Sequence, residues 1–223
     1  TVDLLGCGRS DKSSITYTNF VYVQMISDFI KKIIGQKTDV IASGFSGSFV
    51  TMACHNEKEL FNKIMLVNPP SLTQLKQMPN RKDRLLKAAL EIPIFGTLVY
   101  HMIVSRDNIN NLFIEKMYYN PFHVDNQMAD AYYEAAHKGG YYTRFLYSSL
   151  AAKYININIC HALKALDNSI YIVEGETEPN GKAVTDDYCA SNPAIEVSVL
   201  KETKHLPHVE APEAFLEQVK IFF

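Results

Sequence analysis

One segment limits most strongly what this chain can fold into. It consists of a short apolar run, a turn of small residues and a helical pattern, in that order. The run covers residues 39–43, the turn is Gly44-Phe45-Ser46-Gly47-Ser48, and the helical stretch extends to about residue 55. An apolar segment of this length that ends in small residues is typical of a buried β-strand. The sequence therefore predicts a strand, a tight turn and a helix in succession.

The same alternation recurs along the chain. Apolar runs at residues 63–67, 169–173 and 195–200 predict three more buried strands, while residues 19–34 and 212–222 carry apolar side chains at helical spacing. Strands that alternate with helices form mostly parallel sheets that helices cover on both faces. The predicted fold class is therefore α/β, with a mostly parallel sheet flanked by helices.

Residues 71–166 interrupt this alternation, because they show helical periodicity and turn breaks but no convincing strand. We call this segment the helical insert, and we predict that it interrupts a core built from residues 1–70 and 167–223. The insert is rich in Tyr and Phe, some of which would line a binding cavity. Its composition favours a small-molecule substrate with an apolar acyl or aromatic group.

Charge and hydropathy argue against two classes of partner. The 223 residues include 22 Lys and Arg and 24 Asp and Glu, so the formal charge is −2, which is too balanced to favour nucleic-acid binding. The longest apolar stretch, residues 92–104, is broken by Pro93 and Gly96 and is shorter than the ~20 residues needed to cross a bilayer. We predict no nucleic-acid partner and no membrane span.

The cysteines indicate a reducing environment. Cys7, Cys54, Cys160 and Cys189 lie far apart, in no spacing that would bind zinc. Free thiols are typical of reducing compartments, and no basic segment followed by an apolar one opens the sequence. We therefore expect a cytoplasmic protein.

The turn at residues 44–48 carries the main chemical hypothesis. In a sharp strand-to-helix turn, small residues around a serine let the backbone pass close to itself and hold Oγ at an exposed apex. The following helix offers backbone N–H groups to a developing anion. Ser46 is therefore a candidate nucleophile, and the N–H of Gly47 a candidate oxyanion donor. The alternative is an ordinary turn, because Ser48 stands where the G-x-S-x-G motif ends in glycine.

A serine nucleophile requires a base and an acid that orients the base. His205 follows the last predicted strand, and His208 is its nearest rival. The loop after the strand at residues 169–173 supplies three candidate acids, which are Glu174, Glu176 and Glu178.

Four segments, in this order, resemble motifs of the α/β-hydrolase family. Asp3-Leu4-Leu5-Gly6-Cys7-Gly8-Arg9-Ser10 is similar to the family's D-x-x-G-x-G-x-S loop, and residues 44–48 to its nucleophile elbow. Gly175-Glu176-Thr177-Glu178 is similar to the G-x-x-D/E acid loop, and residues 205–215 to the H-x-x-x-x-E-x-P-x-x-F ending. The resemblance therefore extends over the whole chain.

The resemblance implies a role for each of these residues. Ser46 would be the nucleophile, His205 the general base and then acid, and Glu178 the orienting carboxylate. Gly47 would donate its N–H to the oxyanion, and Phe45 would contact the substrate. The helical insert, residues 71–166, would be the cap or lid that roofs the site. No metal or organic cofactor would be needed.

The implied activity is that of a serine hydrolase that forms an acyl-enzyme on an ester, thioester or related carbonyl substrate. An acyltransferase or a C–C bond hydrolase would use the same groups. A non-catalytic binding protein on the same scaffold is an alternative of another class, favoured by Ser48 and by Glu rather than Asp at position 178.

Members of this family usually begin with three further strands, the third of which would lie between strands ending here at Asp3 and Ser43. The chain starts at Thr1, within the first of those two. Without the missing strand, both neighbours would carry unpaired N–H and C=O groups at ~1–3 kcal/mol each. We therefore expect the C-terminal part of a longer enzyme, with a separate N-terminal fragment as a candidate partner.

Overall fold

A parallel four-stranded sheet forms the centre of the molecule in the computed structural model, which describes residues 1–223. The strands are β1 (Thr38–Ser43), β2 (Phe61–Val67), β3 (Ile170–Gly175) and β4 (Glu196–Leu200), and they lie in the order β1-β2-β3-β4. Each observed strand starts and ends within two residues of a predicted one. The predicted α/β fold class is confirmed.

The register brings the carboxyl ends of all four strands to one edge of the sheet. Ser43 pairs with Val67, Val67 with Val173, and Val173 with Ser198. In an open parallel sheet, ligands bind outside this edge, where the loops that follow the strands meet. The predicted site residues all lie in those loops or in the helix after β1.

Helices cover both faces of the sheet and fill the sequence between β2 and β3. The helix at Asn19–Phe29 continues as a π-helical turn at Ile30–Ile34 and ends at Gly35, so the two together cover the predicted residues 19–34. The helices are α1 (Asn19–Phe29), α2 (Phe45–Asn56), α3 (Leu72–Leu75), α4 (Arg81–Glu91), α5 (Pro93–Ile103), α6 (Arg106–Leu112), α7 (Asn126–His137), α8 (Thr143–Ala151), α9 (Cys160–Ala165), α10 (Gly181–Ser191), α11 (Pro207–Glu210) and α12 (Pro212–Phe222).

Alternate strand residues point to opposite faces of the sheet and build two separate cores. Ile64, Leu66 and Ile172 belong to the main core, which also includes side chains of α1, α2 and α9. Met65 and Val173 face the other side, where α12 covers them. Because both faces are covered, β2 and β3 read as nearly continuous apolar runs.

The helical insert contains no strand, but its two ends pack into the main core. Leu72 and Leu75 are buried there, and so are apolar residues from Ile155 to Leu166. Its middle part forms a smaller cluster in which Ile109 and Phe113 meet Leu206 of the loop after β4. The insert therefore contacts the loop that carries His205. The division into a core (residues 1–70 and 167–223) and an insert (residues 71–166) stays a prediction.

The start of the chain differs from expectation. Residues 1–4 form no strand, because no strand lies beside them to complete a ladder of hydrogen bonds. Asp3 instead organises the following loop, where its side chain accepts from the Arg9 N–H (2.8 Å) and its carbonyl from Ser10 Oγ (2.6 Å). Strand β1 is an edge of the sheet, and beside it lies an open groove of about 520 Å³.

Candidate active site

A single residue separates β1 from α2. Strand β1 ends at Ser43 and α2 begins at Phe45, so Gly44 alone makes the turn. Its φ of 56° and ψ of −132° lie in a region that essentially only glycine occupies without strain. The Gly44 N–H donates to the Val67 carbonyl (2.9 Å). The apex of the strand-to-helix turn is therefore Gly44, and a Cβ built there would meet no atom within 4 Å.

Ser46, the predicted nucleophile, is the second residue of α2 and is half-buried. Its Oγ donates to the carbonyl of Ser43 (2.7 Å), and no hydrogen bond joins it to His205. Ser46 lines the groove beside β1, together with Ala42 and Val50. The structure thus places the predicted nucleophile in the first turn of a helix and does not pair it with the predicted base.

The first turn of α2 presents backbone donors, but Gly47 is not a free one. Its N–H donates to the Gly44 carbonyl (3.1 Å). The N–H groups of Phe45 and Ser46 have no hydrogen-bond partner, as expected for the first residues of a helix. The helix dipole adds partial positive charge at this end. The Phe45 N–H is the free donor next to the apex, so it is the first group that could donate a hydrogen bond to an anion beside Gly44.

His205 and Glu178 meet across the carboxyl edge of the sheet. Glu178 lies in the loop after β3 and His205 in the loop after β4, and His205 Nδ1 is 3.1 Å from Glu178 Oε1. Glu176, another candidate acid, instead accepts from the Glu202 N–H (2.9 Å). Of the three glutamates, Glu178 is the one that contacts His205. Its second oxygen, Oε2, is buried without a partner.

His208, the rival base, lies in a different environment. Burial, and then the nearby His205, lower the pKa of His208. Its Nδ1 is buried without a hydrogen-bond partner, so no carboxylate orients the ring. The local chemistry favours His205 over His208 as a base.

Asn68 holds the loop that carries His205 in place, and the sequence analysis does not single it out. It follows β2 with φ 43°, and its side-chain amide donates to the carbonyls of Lys204 (2.8 Å) and His205 (2.9 Å). Its Oδ1 accepts from the Gly175 N–H (3.0 Å). One buried side chain therefore joins the ends of β2 and β3 to the loop that carries His205.

The loop that carries His205 also contacts the helical insert. Glu210 accepts from the N–H groups of Lys204 (2.8 Å) and Tyr119 (2.6 Å), and the N–H of His205 donates to the Met117 carbonyl (3.1 Å). The family motif contains Glu210, but no pattern in the sequence points to its partner Tyr119 in the insert.

A polar cleft of about 380 Å³ opens at this edge of the sheet. Gly44, Phe45, Glu178 and His205 all line it, so Phe45 lies where a substrate contact is predicted. Glu174 also lines the cleft, and burial raises its pKa, with the charge of Glu178 adding to the rise and a hydrogen bond with Thr185 opposing it. No cluster of three or more His, Cys, Asp or Glu side chains that could hold a metal ion is present.

Comparison with known proteins identifies the family to which this fold and site belong. The sequence pattern of the alpha/beta hydrolase family matches residues 1–218. The chain belongs to the alpha/beta hydrolase family. None of the curated proteins matches this hydrolase significantly.

Solved structures similar to this hydrolase include several enzymes of low sequence identity. A carboxylesterase of Nitrososphaera gargenis has 15% identity and a TM-score of 0.69, covering 99% of this chain and 77% of its own. A bromoperoxidase of Bacillus anthracis has 11% identity and a TM-score of 0.75, with 99% and 79% covered. The 2-hydroxy-6-oxo-6-phenylhexa-2,4-dienoate hydrolase of Rhodococcus sp. strain RHA1 has 16% identity and a TM-score of 0.74, with 99% and 78% covered. These similarities support the fold.

Proposed function

We propose that this hydrolase cleaves an ester, thioester or related carbonyl substrate, with His205 as general base and Glu178 as the carboxylate that orients it. The observation that carries the proposal is the 3.1 Å contact between His205 Nδ1 and Glu178 Oε1, beside the start of α2. A carboxylate at Nδ1 fixes the tautomer whose Nε2 can accept a proton, and it stabilises the imidazolium that forms.

The nucleophile has two candidates. The predicted one is Ser46, which would attack the carbonyl carbon and form an acyl-enzyme. Its Oγ donates to the Ser43 carbonyl, so attack by Ser46 requires that bond to break. The other is a water molecule in the open space beside Gly44, within the cleft that His205 lines. The contacts of Ser46 favour water, and we take water as the attacking group.

In this reaction the water oxygen bonds to the carbonyl carbon while His205 Nε2 takes one of its protons. The carbonyl oxygen becomes an oxyanion, which the Phe45 N–H can stabilise. One such donor is typically worth about 2.7–4 kcal/mol in the transition state. The intermediate then expels the alcohol or thiol, which receives the proton from His205, and the free acid remains.

The substrate would carry an apolar acyl or aromatic group. A cavity of about 260 Å³ lies between the loop at Gly6–Gly8 and the helical insert, and its walls include Tyr100, Tyr132 and Tyr147. None of the residues that line this cavity also lines the cleft with His205, so the proposed substrate class rests on the aromatic composition of the insert. Acyl transfer and C–C bond hydrolysis remain alternatives within the proposal. All four thiols are free, which supports the proposed cytoplasmic location.

A pair of variants tests the base and the nucleophile together. The chain would be assayed with p-nitrophenyl esters of increasing acyl length and treated with a fluorophosphonate probe, beside Ser46→Ala and His205→Ala. We expect His205→Ala to lose about 10²–10⁴-fold in rate. Ser46→Ala should keep its activity, and the probe should label neither the wild-type chain nor Ser46→Ala. Labelling and turnover that both vanish in Ser46→Ala would instead assign the acyl-enzyme mechanism, and undiminished turnover in His205→Ala would refute the proposal.

A binding protein without turnover is the second candidate, and Gly44 favours it. The residue at the apex of the turn has no hydroxyl to form an acyl-enzyme. Such a protein would be stabilised against thermal unfolding by carboxylic acids or esters that it does not cleave. Saturable stabilisation by an ester that is recovered intact would support this candidate.

A further inference from the structure

Helix α5 exposes an apolar stripe to solvent. Ile94, Leu98 and Met102 follow one another at intervals of four residues and are 83%, 58% and 63% exposed. Residues four apart lie above one another on a helix, so the three form one continuous ridge. Gly96 and Tyr100 occupy the opposite side and are buried. Helix α5 contains no Asp, Glu, Lys or Arg.

The stripe extends beyond its three ridge residues. Phe95 is 54% exposed beside Ile94, and Ile92 is 51% exposed at the junction between α4 and α5. We call these five residues the apolar face, namely Ile92, Ile94, Phe95, Leu98 and Met102. Contiguous exposed apolar surface of this kind usually marks a docking site on a protein or a membrane.

Three cations lie at the start of α4, the helix that leads into α5. Arg81, Lys82 and Arg84 are exposed in its first turn, and none of them takes part in an ion pair. Asp83, between them, is already engaged by the Asn80 N–H (3.0 Å) and by Lys153 Nζ (3.3 Å). Cations are unfavourable at a helix N-terminus, so these three do not serve the stability of α4.

We propose that the apolar face and the cations of α4 dock this protein on an anionic phospholipid membrane. The apolar side chains would enter the acyl boundary while Arg81, Lys82 and Arg84 meet the phosphate headgroups, as in helices that lie in the interface. No single helix is long and apolar enough to cross a membrane; α4 and α5 pass that test as a pair, but they are bent by 97° at their junction. The geometry points to docking at the surface.

Charge distinguishes this occupant from a second copy of the chain. In a two-fold dimer the same patch would meet itself, so the second copy would supply three further cations and no anionic surface to neutralise them. An anionic lipid surface complements these cations. The docking does not depend on which reaction the cleft performs.

The chain contains no tryptophan, so the fluorescence of a single introduced tryptophan can report whether the apolar face contacts a membrane. In Leu98→Trp the single indole would report on the apolar face, and in Phe20→Trp it would report on α1, where Phe20 is 79% exposed. Vesicles of phosphatidylcholine mixed with phosphatidylglycerol should shift the emission of Leu98→Trp to the blue and protect it from acrylamide. Phe20→Trp should show neither effect. No shift in Leu98→Trp would overturn the proposal.

Flotation of the chain with the same vesicles gives an independent readout. Ile94→Glu with Leu98→Glu should weaken vesicle binding about tenfold or more, while the matched control Phe20→Glu should bind as before. Replacing Arg81 and Lys82 with Gln should abolish the preference for phosphatidylglycerol over pure phosphatidylcholine. The proposal fails if light scattering shows a dimer that the Glu pair dissociates while vesicle binding stays absent. All these positions are exposed, and thermal unfolding checks that each variant folds.

Discussion

The side-chain amide of Asn68 donates to the main-chain carbonyl of His205 at 2.9 Å. Through this bond the end of β2 fixes a loop that is 137 residues away in sequence. The base role proposed for His205 requires such support, because small displacements of a catalytic group strongly reduce catalytic efficiency.

Asn68→Ala should therefore destabilise the protein and disturb the base. The change removes two donors and one acceptor and leaves the carbonyls of Lys204 and His205 without partners. We expect a loss of about 1–3 kcal/mol in the free energy of unfolding, as for other buried groups left unpaired. Chemical denaturation measures this loss. Asn68→Asp is the matched control, because it keeps the acceptor and loses the donors, so equal stability of Asn68→Asp and wild type would contradict the explanation.

Gly44→Ser should place a hydroxyl at the apex of the turn, in the cleft that His205 lines. The Cβ finds open space, but φ of 56° and ψ of −132° strain any residue other than glycine, typically by about 1–3 kcal/mol. We expect lower stability together with new labelling of residue 44 by a fluorophosphonate. The label should disappear when His205→Ala is added, and labelling that persists there would show that His205 is not the base.

Gly181→Ala should destabilise the protein by forcing a rearrangement at the wall of the cleft, which Gly181 and Glu174 both line. A Cβ at Gly181 would overlap the carboxylate of Glu174, so one of them must move. We expect a loss of about 1–3 kcal/mol, as for other overpacked sites. Adding Glu174→Ala should restore most of the stability, since it removes the overlapping group. A double variant no more stable than Gly181→Ala would show that the helix backbone, and not Glu174, limits the space.

Glu174→Gln should change how stability depends on pH. Burial raises the pKa of Glu174 above its ordinary value of 4.5, so the unfolded chain loses this proton at lower pH than the folded one. Stability from this group is present below pH 4.5 and is lost as the pH rises through the folded-state pKa. The variant should therefore gain stability relative to wild type between acidic and neutral pH. Urea denaturation across that range measures the difference, and a constant difference would exclude the effect.

The sheet was predictable from sequence because burial on both faces leaves a direct signature. Residues 63–67 and 169–173 are nearly all apolar, and they became the two inner strands. Residues 1–4 share part of that signature but have no partner strand, and pairing with a neighbour is what stabilises a strand.

The site was harder to predict, because its geometry depends on long-range contacts. The G-x-S-x motif centres attention on Ser46, yet the apex of the turn is set by where β1 stops. That point is fixed by the pairing of Ser43 with Val67 and the bond from the Gly44 N–H. Residues 42–46 and 44–48 both have small residues at their first, third and fifth positions, so the sequence pattern alone does not show which of Gly44 and Ser46 lies at the apex. Asn68 was missed for a related reason, since its partners lie more than a hundred residues away.

The double contact of Glu210 has a mechanical consequence. The Glu210 carboxylate accepts hydrogen bonds from the N–H of Lys204, just before His205, and from the N–H of Tyr119 in the insert. A substrate that displaced the insert would also displace the backbone next to His205. With the roles proposed for the insert and for His205, displacement of the insert and orientation of the imidazole would be coupled through this one carboxylate.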